Sequence, residues 1–174
     1  DIVVDGITVD DGSGSGVGVL TDDANADVTI SGSSTINDTS VGVRATDANS
    51  LVVSSTDITN TNSDGIDINN PTGLGNGIVV NESTTIDNAG ANGVLVDLGS
   101  ISDSVDINNV EINGSANAGV NLDHSGSTSK LADDAALNVT SSTITNNGGG
   151  LNVTTVGDGT PDLGTDTQFN VHFN

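Results

Sequence analysis

The chain repeats one phrase six times. It consists of an apolar–x–apolar pair, a lone Ile or Val five or six residues later, and a second apolar–x–apolar pair five to eight residues after that. The first pairs are Ile2/Val4, Val28/Ile30, Leu51/Val53, Ile78/Val80, Val105/Ile107 and Leu137/Val139, and Phe169/Val171 opens a seventh phrase. The lone residues are Val9, Ile36, Ile58, Ile86, Ile112 and Ile144. The second pairs are Val17/Val19, Val41/Val43, Ile66/Ile68, Val94/Val96, Val120/Leu122 and Leu151/Val153. In the second phrase the second pair follows its lone residue by five positions instead of seven or eight.

Residues two apart point to one side of a strand. Each pair is therefore the inward side of a short strand, and each lone residue anchors another. Three short strands in every 23–32 residues, repeated along the chain, is the arithmetic of a parallel β-helix. We expect an all-β solenoid of about six full turns and the start of a seventh. A leucine-rich repeat would need Leu-dominated slots and a helical segment, but no stretch has apolar spacing near 3.6. A propeller would need longer strands. The apolar slots define the expected core from Val28 to Val153, with the pairs and lone residues above as its columns. Val, Ile and Thr fill the strand positions, as suits a pleated, half-buried surface.

Two turn signals accompany the phrase. Gly16, Gly65, Gly93, Gly119 and Gly150 precede second pairs, which fits a corner needing positive φ or close backbone approach. Two residues past each lone apolar residue stand Asp11, Asp38, Asn60, Asn88, Gly114 and Asn146. These residue types tolerate a left-handed bend, and stacking would make Asp11, Asp38, Asn60, Asn88 and Asn146 a partial turn ladder.

The 174 residues suggest a single domain, 1–174. Asp1 opens inside a strand phrase and the last phrase stops short, so a segment of a longer chain is expected. Apolar content is only 33%, enough for a narrow central column in which each buried side chain contributes ~1.5–3 kcal/mol. The 24 Asp+Glu against 2 Lys+Arg give a net charge of −22. Such a surface repels nucleic acid and anionic membranes and attracts cations. The chain has no Cys, which excludes disulfides, thiol chemistry and Cys-based metal sites. No transmembrane run is visible.

Three segments carry a family resemblance: LVVSSTDITNTNSDGIDI (51–68), IVVNESTTIDNAGANGVLV (78–96) and LNVTSSTITNNGGGLNV (137–153). They resemble the right-handed parallel β-helix repeats of the pectin-lyase-like superfamily, and most of all the passenger and stalk regions of bacterial autotransporters and large secreted adhesins. The resemblance implies the fold across nearly the whole chain. It leaves function open, because that fold carries lyases, hydrolases, tailspikes, adhesins and spacers.

Catalytic chemistry finds little support. Superfamily lyases use a basic residue beside Asp-bound calcium, and only Arg44 and Lys130 are available. They lie about four turns apart, with Arg44 pointing outward by alternation. The hydrolases use clustered Asp, but Asp10/Asp11, Asp22/Asp23 and Asp133/Asp134 lack the hydrolase signatures. A glycosidase also needs one carboxyl with a raised pKa opposite an ionised one, and nothing here implies burial. His124 and His172 are isolated. No catalytic or cofactor-binding residue is therefore assigned. Calcium is the one cofactor worth weighing, since Asp and Asn in turns offer hard oxygen ligands. The candidates are Asp64, Asp67, Asp158 and Asp162, although neither the RTX nonapeptide nor an EF-hand loop occurs. The loops 123–136 and 154–168 are the longest of those following the second pairs, and insertions on one solenoid edge can form a binding surface. Five Asn-x-Ser/Thr sequons stand at Asn37, Asn81, Asn113, Asn138 and Asn152.

The reading is a non-catalytic extracellular or cell-surface β-helix acting as stalk, spacer, filament unit or adhesin segment. Expected partners are neighbouring β-helix turns, copies of itself head-to-tail, surface glycans and host or matrix receptors. Nucleic acid and direct membrane insertion are not expected. The alternatives are a carbohydrate-binding or polysaccharide-degrading β-helix, with the two long loops as its site, and a calcium-dependent surface or matrix protein.

Overall fold

The computed structural model describes residues 1–69, 77–97, 104–124, 136–155 and 170–173, with side chains described except at 104, 124, 136, 137, 153–155 and 170–173. The first coil holds β1 (Ile2–Asp5), β2 (Thr8–Asp10) and β3 (Val17–Thr21). The second holds β4 (Asp27–Ser31), β5 (Ser34–Asn37) and β6 (Val41–Thr46), and the third β7 (Ser50–Ser54), β8 (Thr56–Thr59) and β9 (Ile66–Asn69). The fourth holds β10 (Ile78–Asn81), β11 (Thr84–Asp87) and β12 (Val94–Asp97), and the fifth β13 (Ser104–Asn108), β14 (Val110–Asn113) and β15 (Ala118–His124). The sixth holds β16 (Ala136–Thr140), β17 (Thr143–Thr145) and β18 (Gly149–Thr155), and β19 (Asn170–Phe173) starts another. Every third strand joins the same sheet. This gives one sheet of seven parallel strands from β1 to β19 and two of six, β2 to β17 and β3 to β18. The chain is the parallel β-helix that the repeat predicts.

In the first two sheets the register follows the apolar phrase. Val28, Leu51, Ile78, Val105 and Leu137 stack in one line, and Ile36, Ile58, Ile86, Ile112 and Ile144 in another. Ile30, Ile36, Leu51, Val53, Ile58, Ile78, Val80, Ile86, Val94, Val96, Ile107, Ile112 and Val120 are fully removed from solvent.

The expected core is not sealed evenly along its length. Leu122 on β15 is buried with 2% of its surface left exposed, and Val139 on β16 keeps 5%. Both still pack in the central cluster, while Ile144 and Leu151 of the sixth coil are only partly buried against it. The register explains where they sit: Leu122 stacks on Val96 of the fourth coil and Val139 on Ile107 of the fifth. Each is therefore a core residue, as the phrase predicts, but the seal loosens from the fourth coil to the sixth. The side chains of Leu137 and Val153 lie outside the described residues.

The third sheet corrects the spacing argument. Val43, not Val41, pairs with Ile66, and Ala45 pairs with Ile68. The line therefore runs Val19, Val43, Ile66, Val94, Val120, Leu151, while Val41 is buried two residues before it. The short second phrase thereby becomes regular, and the extra length falls in the first coil, at the corner 11–16. Glycine is the reason. Gly18, Gly42, Gly65, Gly93 and Gly119 each precede that line, and a Cβ on any of them would strike the Cγ2 of a packed Ile. At Gly93 it would also come 2.6 Å from the Gly119 carbonyl oxygen. These are sites of close approach, not of positive φ, and Gly18 takes the place that the sequence gives to Gly16.

Two further features are polar. Ser34, Thr56 and Thr84 are fully buried in the second sheet, two residues before its Ile. Their hydroxyls donate to strand carbonyls just upstream: Ser34 to Ser31 (2.6 Å), Thr56 to Ser54 (2.9 Å) and Thr84 to Asn81 (2.7 Å). Such bonds offset the desolvation cost of an interior hydroxyl. The corner just before the second sheet is left-handed, at Ser55 (φ 47), Ser83 (φ 62), Asn109 (φ 56) and Ser141 (φ 50).

Candidate functional site

The predicted turn ladder forms at the corner after the second sheet. Asp38 (φ 51), Asn60 (φ 55), Asn88 (φ 57) and Asn146 (φ 54) are left-handed, with Gly114 (φ 74) among them. Their backbone N–H groups reach the next coil, as from Asn60 to Asp87 (3.0 Å) and from Asn88 to Asn113 (2.9 Å). The side chains interleave with the strand ends. Asn88 Nδ2 donates to Asn60 Oδ1 (3.4 Å), Asn60 Nδ2 to Asn37 Oδ1 (3.0 Å) and Asn146 Nδ2 to Asn113 Oδ1 (2.8 Å).

Asp11 departs from this pattern. It keeps the column's backbone bond, donating to Asn37 O (3.3 Å), but the left-handed residue is Gly12 (φ 60), one position on. The longer corner of this coil leaves backbone amides to be capped, and Asp11 Oδ2 accepts from Gly16 N (2.8 Å), Ser15 N (2.7 Å) and Ser13 Oγ (2.8 Å). These bonds, the one from Gly16 foremost, hold its carboxyl below the ordinary value of 3.8.

Several other carboxylates tie one coil to the next. Asp5 accepts from Ser31 (3.0 Å), Asp27 from Asn49 (2.6 Å) and Ser50 (2.7 Å), and Asp57 from Thr85 (2.7 Å). Asp87 accepts from Asn113 (3.1 Å) and Asp106 from Asn138 (2.6 Å). In each case the donor lies one coil further on. Arg44 points outward from β6, as alternation requires, and its Nε lies 2.8 Å from Asp67 Oδ2 on β9.

This use also separates the calcium candidates. Asp64 is buried, and its Oδ1 accepts from Asn92 N (2.9 Å) and Nδ2 (2.8 Å) while Oδ2 accepts from Ser63 Oγ (3.1 Å). Asp67 is turned to Arg44. The two flank Ile66 with opposite parity and do not converge. Among the described residues no three His, Asp or Glu side chains gather in a metal-binding group. Asp158, Asp162, Asp133, Asp134 and Lys130 lie outside the described residues, as do most of the loops 123–136 and 154–168 and the side chains of His124 and His172. Asp10, Asp22 and Asp23 are exposed.

Sequence reasoning misses the inter-coil use of carboxylates. The signal for it is weak, since a donor and its acceptor lie 22 to 32 residues apart and only the register brings them together. The buried hydroxyls leave a clearer trace: Ser34-Thr35-Ile36, Thr56-Asp57-Ile58 and Thr84-Thr85-Ile86 share a Ser/Thr–x–Ile pattern.

A chain wound this way, with parallel strands pairing coil to coil and an Asn-lined corner, belongs to the β-helix class of solenoids. Residues 1–136 match the model of the family described as "right handed beta helix region", and the chain is a member of that family. No curated protein matches it. No solved structure matches it either.

Proposed function

We propose that this chain is a non-catalytic mechanical and adhesive segment of an extracellular or cell-surface protein: a stiff stalk, spacer or filament unit. The observation that carries the proposal is the inter-coil use of carboxylates. On each of the three sheets at least one acidic side chain accepts a hydrogen bond from the adjacent coil, over a continuous parallel backbone ladder. Force along the axis is borne by many strand-to-strand bonds in parallel, with no hinge between the described coils. Six coils at ~4.8 Å each make a rod about 30 Å long. The remaining acidity keeps the rod soluble and condenses cations loosely. Its outward faces and loops are where surface glycans or matrix receptors would bind, and further β-helix coils or copies of the chain would continue it end to end.

The test joins imaging to turnover. Negative-stain microscopy should show straight rods or fibres, and acidic polysaccharides should yield neither new reducing ends nor unsaturated products. Turnover that survives purification to homogeneity would overturn the proposal.

A further inference from the structure

We infer that the coil stack locks the Asn–Gly junctions of this chain against spontaneous deamidation, so that Asn92, Asn113 and Asn147 convert only when their coils open locally. The inference stands whatever the rod does.

Asn–Gly occurs four times, at Asn76, Asn92, Asn113 and Asn147, and the last three lie among the described residues. Glycine offers no side chain to shield its nitrogen, so these are the junctions most open to the reaction. The glycine nitrogen attacks the asparagine Cγ, forming a C–N bond. The side-chain amide C–N bond breaks, and ammonia leaves with the proton that the glycine nitrogen gives up. Water then opens the succinimide at either carbonyl, giving aspartate or isoaspartate, and no oxidant or reductant is needed. The reaction requires a free glycine N–H and an amide able to swing onto it.

The fold denies both at all three junctions. Gly93 N donates to Ala118 O (3.0 Å), Gly114 N to Thr145 O (3.3 Å) and Gly148 N to Ser115 O (3.0 Å), each on a neighbouring coil. The amides are pinned at both atoms. Asn92 Nδ2 donates to Asp64 Oδ1 (2.8 Å) and its Oδ1 accepts from Ala118 N (3.3 Å). Asn113 Nδ2 donates to Asp87 Oδ1 (3.1 Å) and its Oδ1 accepts from Asn146 Nδ2 (2.8 Å). Asn147 Nδ2 donates to Ile112 O (3.2 Å) and its Oδ1 accepts from Ser115 N (2.7 Å). Ring closure must break the glycine bond and displace a pinned amide, which takes a local opening of the ladder. Asn92 is 7% exposed and should be the slowest of the three. Asn113, half-buried and followed by the longest glycine bond, should be the fastest.

The experiment incubates the full chain at mildly alkaline pH, folded or unfolded in guanidinium chloride, and maps deamidation and isoaspartate by peptide mass spectrometry. Each of the three junctions should convert at least about tenfold more slowly in the folded chain. Folded rates within about twofold of the unfolded ones would overturn the inference. A second arm uses Asp87→Ala, which frees Asn113 Nδ2, with retention of fold checked by circular dichroism. Asn113 should then convert about two- to tenfold faster while Asn92 and Asn147 hold their rates. An equal rise at all three would mean that global unfolding sets the rates, and the local lock would be refuted.

Discussion

The first and fourth coils speak nearly the same phrase and meet different fates. Ile78, Val80, Ile86 and Val94 are fully buried in the fourth, while in the first Ile2 is 51% exposed and Ile7 36%, with Val4, Val9 and Val19 only partly covered. The difference is not in the strands. Among the described residues an inner coil has a neighbour above and below, and the first coil has one. In a solenoid, burial belongs to the interface between coils, so stability is a sum of nearest-neighbour terms. The same amino acid should therefore carry different weight according to its coil.

The sharpest way to break that comparison is to empty matched slots. Ile78→Ala leaves a cavity between β7 and β13 and should cost ~2–5 kcal/mol, read as a fall in the denaturation midpoint. Ile2→Ala should stay within about 0.5 kcal/mol. Equal losses would refute the nearest-neighbour account.

Glycine offers the next contrast. Gly93→Ala drives a Cβ against Ile112 and the Gly119 carbonyl and should cost ~1–3 kcal/mol as overpacking. Gly150→Ala, the sixth-coil member of the same column, meets nothing within 4 Å among the described residues. Thermal melts should leave it within about 0.5 kcal/mol of the parent.

How much of this is legible in the sequence depends on whether a residue's partner resembles it. The aliphatic columns of the first two sheets are legible, because Ile78 stacks on Leu51 and Ile86 on Ile58 and the spacing repeats. The phrase marks Leu122 and Val139 as inward with equal force, yet it gives no hint that they keep slightly more exposure than Val96 or Ile107. That depends on what the adjacent coil supplies, which no single phrase encodes. The third sheet misleads at Val41 and Val43, because an alternating apolar pair looks the same when shifted by two. Only Gly42, fitted against Ile58, decides between the registers. The turn ladder is legible at Asp38, Asn60, Asn88 and Asn146. Asp11 breaks from it because its corner is longer and needs a cap. The left-handed corner at Ser55, Ser83 and Ser141 escapes notice because serine is an ordinary surface residue until a bend is seen. Asp64 and Asp67 stand three residues apart in the sequence, and only the register shows that Asn92 bonds the first and Arg44 the second.

The inter-coil side-chain bonds should give smaller effects. Arg44→Ala leaves the buried Asp67 carboxylate without the guanidinium beside it, although the arginine itself is 37% exposed, and should cost about 1–2 kcal/mol, shrinking with added salt. Asp57→Ala removes the acceptor of Thr85 at an exposed site and should cost about 0.5–1 kcal/mol in urea denaturation.

Asp11 makes the stability of the first coil depend on pH. Its carboxyl is depressed below 3.8 in the folded chain, so its stabilisation is fully present above that value. The stabilisation is lost as pH falls through the lower folded value. Asp11→Asn should therefore lower the melting temperature slightly at neutral pH and lose that effect in strong acid. A difference that persists unchanged in acid would contradict the assignment.

The account rests on residues of adjacent coils standing side by side in parallel register on every sheet. Because the chain has no cysteine, paired cysteines can report this directly. Oxidative cross-linking of one double variant per sheet is the test: Val52→Cys with Val79→Cys, Thr35→Cys with Asp57→Cys, and Leu95→Cys with Asn121→Cys. Each pair faces its partner across a ladder, within the ~4.4–6.8 Å that a disulfide spans. All three should close within single chains under mild oxidation, while Val52→Cys with Asp106→Cys, two coils apart, should not. Closure of that control, or failure of the matched pairs in a folded chain, would contradict the stacked coil.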